Sequence, residues 1–209
     1  MNWPLGELKA LATKATRGAG FSWSLSEETG YAAQWLESHG VTGISHLANY
    51  LRWVEANGLL VAPVDMLDGT PDAQALKCPI ALGCLITDTK AVTSDASIRV
   101  SQPALFLPFL GWAAGHQAIV CKINDTAVAV CANGVDQEAL KLPELSLAEA
   151  SLSWRLQEAG AVPKCLTGSR ASDDRASIHT LLRLADKTYA PATDASRLAG
   201  AGAGTTDND

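Results

Sequence analysis

A glycine-rich turn leading into a helix is the first place in this sequence where residue types and spacing suit ligand binding. Arg17 begins the run Arg-Gly-Ala-Gly, and Trp23 and Ser24 follow shortly after it. Such a turn presents backbone amides at a helix start, where an anion is favoured, and Arg17 adds a positive charge. The alternative is structural: the segment is a well-capped junction between two helices, with Trp23 packed into it. Neither common glycine-rich phosphate-binding fingerprint occurs here, so both interpretations stay open.

Candidate acid–base groups are few and scattered. Glu27 and Glu28 are adjacent, and because neighbouring helical residues diverge by about 100°, at most one of them can face a pocket. His116 follows Gly115 and precedes an apolar stretch, which makes it the most site-like of the four histidines. We therefore take Glu27 and His116 as the catalytic candidates. No metal-binding or catalytic motif accompanies them, so we expect neither a metal nor a cofactor.

The C-terminal segment is a second candidate binding element. From Pro191 to Asp209 it carries glycine at positions 200, 202 and 204, and it ends in a carboxylate cluster that includes Asp207. Glycine allows a close approach to another surface, while low apolar content is equally typical of a solvated, mobile end. On the first interpretation the segment folds back, or crosses a subunit boundary, onto the start of the second helix. Its carboxylates, including that of Asp209, would then meet Arg17. Arg197, in the same segment, is also taken as a binding candidate.

Composition excludes several classes of function. With 22 acidic against 16 basic residues the formal net charge is −6, and the basic residues are scattered, so no nucleic-acid partner is expected. There is no apolar run long enough to predict a membrane span, and the N-terminal pattern is not that of a signal peptide. The five cysteines, an odd number without CxxC spacing, are typical of reduced thiols in a cytoplasmic protein. A hairpin could still place Cys121 opposite Cys131 as a redox pair, although buried cysteines more often pack as small apolar side chains.

Helical periodicity dominates residues 1–58. Apolar residues recur at helical spacing in three segments, and glycines follow each of them. Ser24 and Glu27 have the spacing of a capping box, in which side chains satisfy the free amides of a helix start. The sequence therefore predicts three helices, bounded by Pro4 and Gly18, by Ser24 and Gly40, and by Ile44 and Gly58.

The pattern changes in residues 59–189. Short apolar or alternating runs predict strands, and one Pro-bounded aromatic run predicts a short helix across a sheet. The strands are expected at Ile80–Ile86, Ser97–Val100, Ala118–Ile123 and Ala127–Cys131, the last two as a hairpin, and the short helix at Ala104–Ala114. Leu145–Gln157 fits a strand by alternation and a helix by composition, and is left open. A further helix is predicted over Ser172–Tyr189, with the glycine-rich tail at 190–209.

These elements predict an α+β fold: a helical N-terminal segment, a central antiparallel sheet, a C-terminal helix and the glycine-rich tail. The chain is expected to form one domain overall. Its length of 209 residues is enough to bury a substantial core.

Three stretches of the chain resemble an uncharacterised bacterial family known only as a domain of unknown function (3726). They are the early Arg17-Gly-Ala-Gly with Trp23, Glu27-Glu28-Thr-Gly and Trp35-Leu36; the central Pro103-Ala-Leu-Phe-Leu-Pro-Phe-Leu; and the closing Tyr189-Ala-Pro-Ala-Thr with its glycine-rich end. The resemblance spans nearly the whole chain. It implies no activity, cofactor or catalytic residue.

Two functional hypotheses remain. The first is a cytoplasmic small-molecule-binding or accessory protein, such as a small subunit of a bacterial metabolic assembly or a homo-oligomer. An excess of tryptophan, six residues against three tyrosines and three phenylalanines, favours an aromatic-walled pocket or an interface. The second is a small-molecule hydrolase or lyase with an anion-binding site near Arg17 and the tail, in which Glu27 or His116 acts as acid or base.

Overall fold

The computed structural model describes residues 3–59, 75–136, 142–157 and 174–189. Three helices come first, α1 (Leu5–Gly18), α2 (Trp23–Ser38) and α3 (Gly43–Asn57), as the sequence predicts. Glycines with positive φ follow them: Gly20 at 102°, Gly40 at 83° and Gly58 at 87°. These backbone angles strongly favour glycine, which explains where the helices end.

The start of α2 differs from the prediction. Ser22, rather than Ser24, caps the helix, because its hydroxyl accepts a hydrogen bond from the Leu25 amide at 3.4 Å. Ser24 is therefore the second residue of α2, and the predicted capping box of Ser24 with Glu27 is wrong. Both serines are compatible with a cap by residue type, and the spacing alone selected the wrong one.

The predicted strand at Ile80–Ile86 is also wrong, because this run lies in α4 (Pro79–Thr89). Pro79 occupies the first turn, and the Cys78 sulfur accepts a hydrogen bond from the Ala81 amide at 3.4 Å. The helix packs closely on the next one: a Cβ at Gly83 would lie 2.3 Å from the Phe109 ring. An apolar run that is buried over most of its length has no periodicity by which to distinguish helix from strand.

The sheet has five strands, β1 (Ser94–Ser101), β2 (Ile119–Ile123), β3 (Thr126–Cys131), β4 (Gly134–Val135) and β5 (Glu149–Leu156). Their spatial order is β1-β5-β2-β3-β4, and every pairing is antiparallel. The strands predicted at Ser97–Val100 and in the hairpin are confirmed. Of the two readings left open for Leu145–Gln157, the strand is correct, and it follows a short 3₁₀ helix at Pro143–Ser146.

The hairpin turn is too short to place Cys121 opposite Cys131, as the expected redox pair requires. Ile123 pairs with Thr126, so Asn124 and Asp125 alone form the turn, and Asn124 adopts a φ of 53°. Cys121 then faces Val128 rather than Cys131, which corrects the expected Cys121–Cys131 juxtaposition.

The elements form three layers. The outer layer consists of α1, α2, α3 and α6 (Arg175–Asp186), so it draws on both ends of the chain. A middle layer contains α4, a 3₁₀ helix at Pro103–Phe106 and α5 (Leu107–Ala114), and α5 lies against the sheet as predicted. The core runs through all three layers, and its largest fully buried side chains among the described residues are Tyr50, Phe106 and Phe109. The α+β class is confirmed.

Candidate functional site

A surface groove lies where the ends of α1 and α6 meet the start of α2. Its volume is about 440 Å³, and it is lined by Arg17, Gly18, Gly20, Trp23, Lys187 and Thr188. Trp23 is 60% exposed, which is unusual for the largest aromatic side chain. The groove therefore combines two cationic side chains with an open aromatic surface.

Two features of the local sequence shape this groove. Gly20, with its positive φ, turns the chain back after α1, and buried Phe21 anchors the turn in the core. Gly18 allows the end of α6 to approach, because a Cβ at this position would lie 1.9 Å from the Leu184 carbonyl oxygen. The turn and the close approach together bring Lys187 to the same opening as Arg17 and Trp23.

The electrostatics of the groove favour an anion. Arg17 donates one hydrogen bond, to the Phe21 carbonyl at 2.7 Å, and has no acidic partner among the described residues. Lys187 binds Glu55 at 2.7 Å, and Arg183 binds both oxygens of the same carboxylate. The hydrogen bonds from Arg183 and then Lys187 lower the pKa of Glu55 to about 2. Arg183 and Lys187 thus share one carboxylate while Arg17 has none among the described residues, which leaves a local positive charge near the groove on a negatively charged chain.

The structure brings only some of the sequence-predicted residues together. Arg17 and Trp23 line the same groove, while Ser24 lines a neighbouring cavity. Glu27 is exposed on α2, and His116 is exposed just after α5; neither is among the lining residues of the groove. Arg197, Asp207 and Asp209 lie outside the described residues, and so does the predicted contact of the tail with Arg17. Lys187 and Thr188 were missed because nothing in their local pattern distinguishes them from an exposed helix end.

The neighbouring cavity is acidic. It measures about 280 Å³ and is lined by Ser24, Leu25, Glu28, Cys84, Thr87, Asp88 and Phe109. Burial, and then the charges of Glu28 and Asp88, raise the pKa of the Cys84 thiol to about 12. Cys84 is therefore protonated at neutral pH and is a poor nucleophile. Sequence analysis did not identify Asp88, because the run just before it, Ile80–Ile86, was predicted as a strand, and only a helix through Asp88 places it on the same element as Cys84.

A partly buried polar cluster joins the end of α2 to the starts of α3 and α6. Glu37 accepts a hydrogen bond from the Ile44 amide at 2.9 Å, and Asp174 accepts one from Ser45 at 2.7 Å and two from Ser177. Burial raises the pKa of Glu37, whereas the hydrogen bonds from Ser177 and Ser45 lower that of Asp174. The two carboxylates satisfy backbone and hydroxyl donors at helix starts, which is a structural role.

His46 forms a second buried polar contact. Its Nδ1 lies 3.2 Å from the Gln102 side-chain oxygen, and burial lowers its pKa. Gln102 adopts a φ of 45° at the junction between β1 and the following 3₁₀ helix. The contact ties α3 to that junction.

The described ranges contain neither a metal-binding cluster nor a membrane-spanning helix. There, no group of three or more His, Cys, Asp and Glu side chains is arranged to hold a metal ion. None of the helices described is both long and apolar enough to cross a membrane.

The fold and the groove define an α+β protein with a cationic, aromatic surface site built on its helical layer. Residues 4–78 match the model of a family described as "Protein of unknown function (DUF3726)". The match confirms the resemblance over that stretch, which includes Arg17 and Trp23. No curated protein and no solved structure matches the chain.

Proposed function

We propose that this is a small-molecule-binding or accessory protein of a bacterial, cytoplasmic metabolic assembly. Its ligand is a small anion that carries a flat apolar group. The observation that supports this proposal is the convergence of Arg17, Trp23 and Lys187 on one groove. Cys78, Cys84 and Cys121 are free thiols, as is typical of a reducing compartment.

Each group in the groove has a distinct part in recognition. The exposed guanidinium edge of Arg17 can pair with a carboxylate or phosphate in a bidentate arrangement. Lys187 adds a second positive charge, and the exposed face of Trp23 offers a surface for a planar group. The described lining contains no carboxylate and no imidazole, so its residues supply binding groups rather than an acid–base pair.

The exposed aromatic residues favour a second candidate, docking of a partner subunit or a second copy. Trp23, Tyr31 and Tyr189 are all about half exposed or more, and Lys9 and Lys14 lie over the two tyrosine rings. Tyrosine and tryptophan are enriched in the centres of protein interfaces. Light scattering on the purified chain tests this candidate: a monomer at all concentrations, unchanged in a W23A variant, would contradict self-association.

The ligand-binding proposal is tested with a charged probe and a neutral analogue of the same shape. Naphthalene-2-carboxylate and naphthalene-2-carboxamide are titrated into the full chain, and calorimetry measures the binding of each. We expect the carboxylate to bind and the carboxamide to bind about tenfold more weakly, since a hydrogen bond to a charged group contributes about 1.5–3 kcal/mol.

Variants distinguish the groove from other positive surfaces. R17Q should lose most of the carboxylate affinity, R17K should retain part of it through its charge, and W23A should weaken both probes. R52Q is the matched control, because Arg52 is exposed on α3 and, among the described residues, bonds only within that helix, to Ala48 and Asn49. Equal affinity for both probes, or full affinity in R17Q, would reject the proposal.

A further inference from the structure

The outer face of the sheet contains a hollow where β1 leaves its regular pairing with β5. Ser94 pairs with Trp154 and Ile98 with Leu152, so four residue steps of β1 span two steps of β5. The extra residues, which include Asp95, form a bulge opposite Ser153. Bulges redirect side chains and are common beside functional sites. The hollow measures about 200 Å³, and its lining includes Ser94, Asp95 and Ser153.

Two cations meet on this face from adjacent strands. Val120 pairs with Arg155, and Lys122 pairs with Ser153, so all four side chains occupy the face opposite buried Cys121. Lys122 and Arg155 are diagonal neighbours in this register, and both line the hollow. Diagonal neighbours are close enough for long side chains to interact, and like charges there repel one another.

Neither of these cations is neutralised by the described part of the chain. No salt bridge joins Lys122 or Arg155 to an acid there, whereas Arg99 on the same sheet binds Glu149 at 2.7 Å. Asp95 lies at the rim of the hollow without an ion pair to either cation. The hollow therefore has two positive charges and one negative charge, with two serine hydroxyls beside them.

We propose that this hollow is a binding site for a phosphate group, separate from the helical groove and independent of the function proposed for it. The planar guanidinium of Arg155 matches two phosphate oxygens, and Lys122 supplies a point charge. The hydroxyl of Ser153 can donate to a remaining oxygen, and that of Ser94 can do so by leaving its long hydrogen bond of 3.4 Å to the Ala96 carbonyl. The Asp95 carboxylate can only accept a hydrogen bond when ionised, so it favours a phosphate that retains a proton and disfavours the dianion.

The experiment is a titration of the full chain with inorganic phosphate at constant ionic strength, in which backbone amide chemical shifts are measured at each phosphate concentration. We expect saturable shifts at Lys122, Ser153 and Arg155. R155Q should weaken binding about tenfold, as expected for loss of a charged hydrogen bond. D95N should strengthen it, and more at pH 8 than at pH 6, because the dianion predominates at the higher pH.

Two control variants and a second probe complete the test. R99Q removes a cation from the same sheet that already has an acidic partner, and R17Q removes one from the helical groove; both should leave the affinity within about twofold, since distant sites act independently. O-phosphoserine distinguishes the two phosphate sources: tighter binding than inorganic phosphate supports a phosphate ester as the ligand, and weaker binding supports the free ion. Unsaturable shifts with both probes, or equal weakening in R99Q and R155Q, would overturn the proposal.

Discussion

The buried carboxylate of Glu37 accepts a hydrogen bond from the backbone amide of Ile44 at 2.9 Å. This bond crosses the turn between α2 and α3 and satisfies one of the free amides at the start of α3. Glu37 is only 4% exposed, so the carboxylate is held where its charge is poorly solvated.

Replacing this carboxylate by an amide should stabilise the protein at neutral pH. Burial raises the pKa of Glu37 in the folded state, so the folded protein binds a proton more readily than the unfolded chain does. Its contribution to stability therefore falls as pH rises from about 4.5 through the folded-state pKa. E37Q retains an acceptor for Ile44 and should show an advantage that grows with pH in urea unfolding. E37A should be destabilised by about 1 kcal/mol through loss of the bond. A loss of stability in E37Q at pH 7 as large as that in E37A would contradict this account.

A methyl group added at Gly18 should destabilise the protein, because α1 lies very close to α6 at this position. A Cβ at Gly18 would lie 1.9 Å from the Leu184 carbonyl oxygen, and neither backbone can yield without moving a helix. G18A should therefore lose about 1–3 kcal/mol, the usual cost of overpacking. G6A in the same helix is the matched control: nothing lies within 4 Å of a Cβ at Gly6, so it should be neutral or stabilising by up to about 0.5 kcal/mol. Thermal unfolding of both variants measures the difference, and equal melting temperatures would contradict the packing argument.

The ion pairs of Glu55 should make stability depend on acid and salt. Hydrogen bonds from Arg183 and Lys187 lower its pKa to about 2. This contribution is present above about pH 4.5, the ordinary value of a glutamate, and is lost as pH falls toward 2. Because these side chains are largely exposed, we expect no more than about 1 kcal/mol, and less at high salt. E55Q should remove part of the acid dependence of unfolding. E149Q, which breaks an exposed pair with Arg99 on the sheet, is the control for the general loss of a surface carboxylate.

The thiol of Cys84 should react slowly, and removal of nearby charge should accelerate it. Burial, and then the charges of Glu28 and Asp88, raise its pKa to about 12. An E28Q/D88N double variant should lower this pKa, increase the thiolate fraction and raise the rate of alkylation at pH 8 by about two- to fivefold. Mass spectrometry of the alkylated peptides measures each cysteine separately. Cys121 in the same sample is the internal control: its burial raises the pKa to about 12 without a contribution from acids, so its rate should not change.

Short-range sequence patterns predicted the parts of the fold that depend only on neighbouring residues. Helix ends at Gly20, Gly40 and Gly58 followed from the backbone angles that glycine permits, and the hairpin followed from Asn124 and Asp125. The strand prediction for the α4 segment failed because packing on three sides removes any alternation of polar and apolar residues from an apolar run. The Cys78-Pro79 pair, a cap followed by a first-turn proline, was the available signal for a helix there.

The candidate site was predictable only in part, because some of its residues are brought together by tertiary packing. Arg17 and Trp23 lie six positions apart on one turn, so a local pattern could associate them. Lys187 joins them from the opposite end of the chain, through the packing of α6 on α1. Such a contact depends on tertiary structure, which a single sequence does not reveal. The hollow on the sheet was missed for the same reason, since its residues come from three strands.

The position of β5 between β1 and β2 has a consequence for how the chain folds during synthesis. Residues 94–101 and 119–123 emerge early, yet each pairs with residues 149–156 rather than with the other. One face of α1 likewise stays uncovered until residues 175–186 pack on it. Contacts of such long sequence separation slow folding. The nascent chain therefore presents open sheet edges until residues 149–156 have left the ribosome, and an uncovered helix face until residues 175–186 have done so.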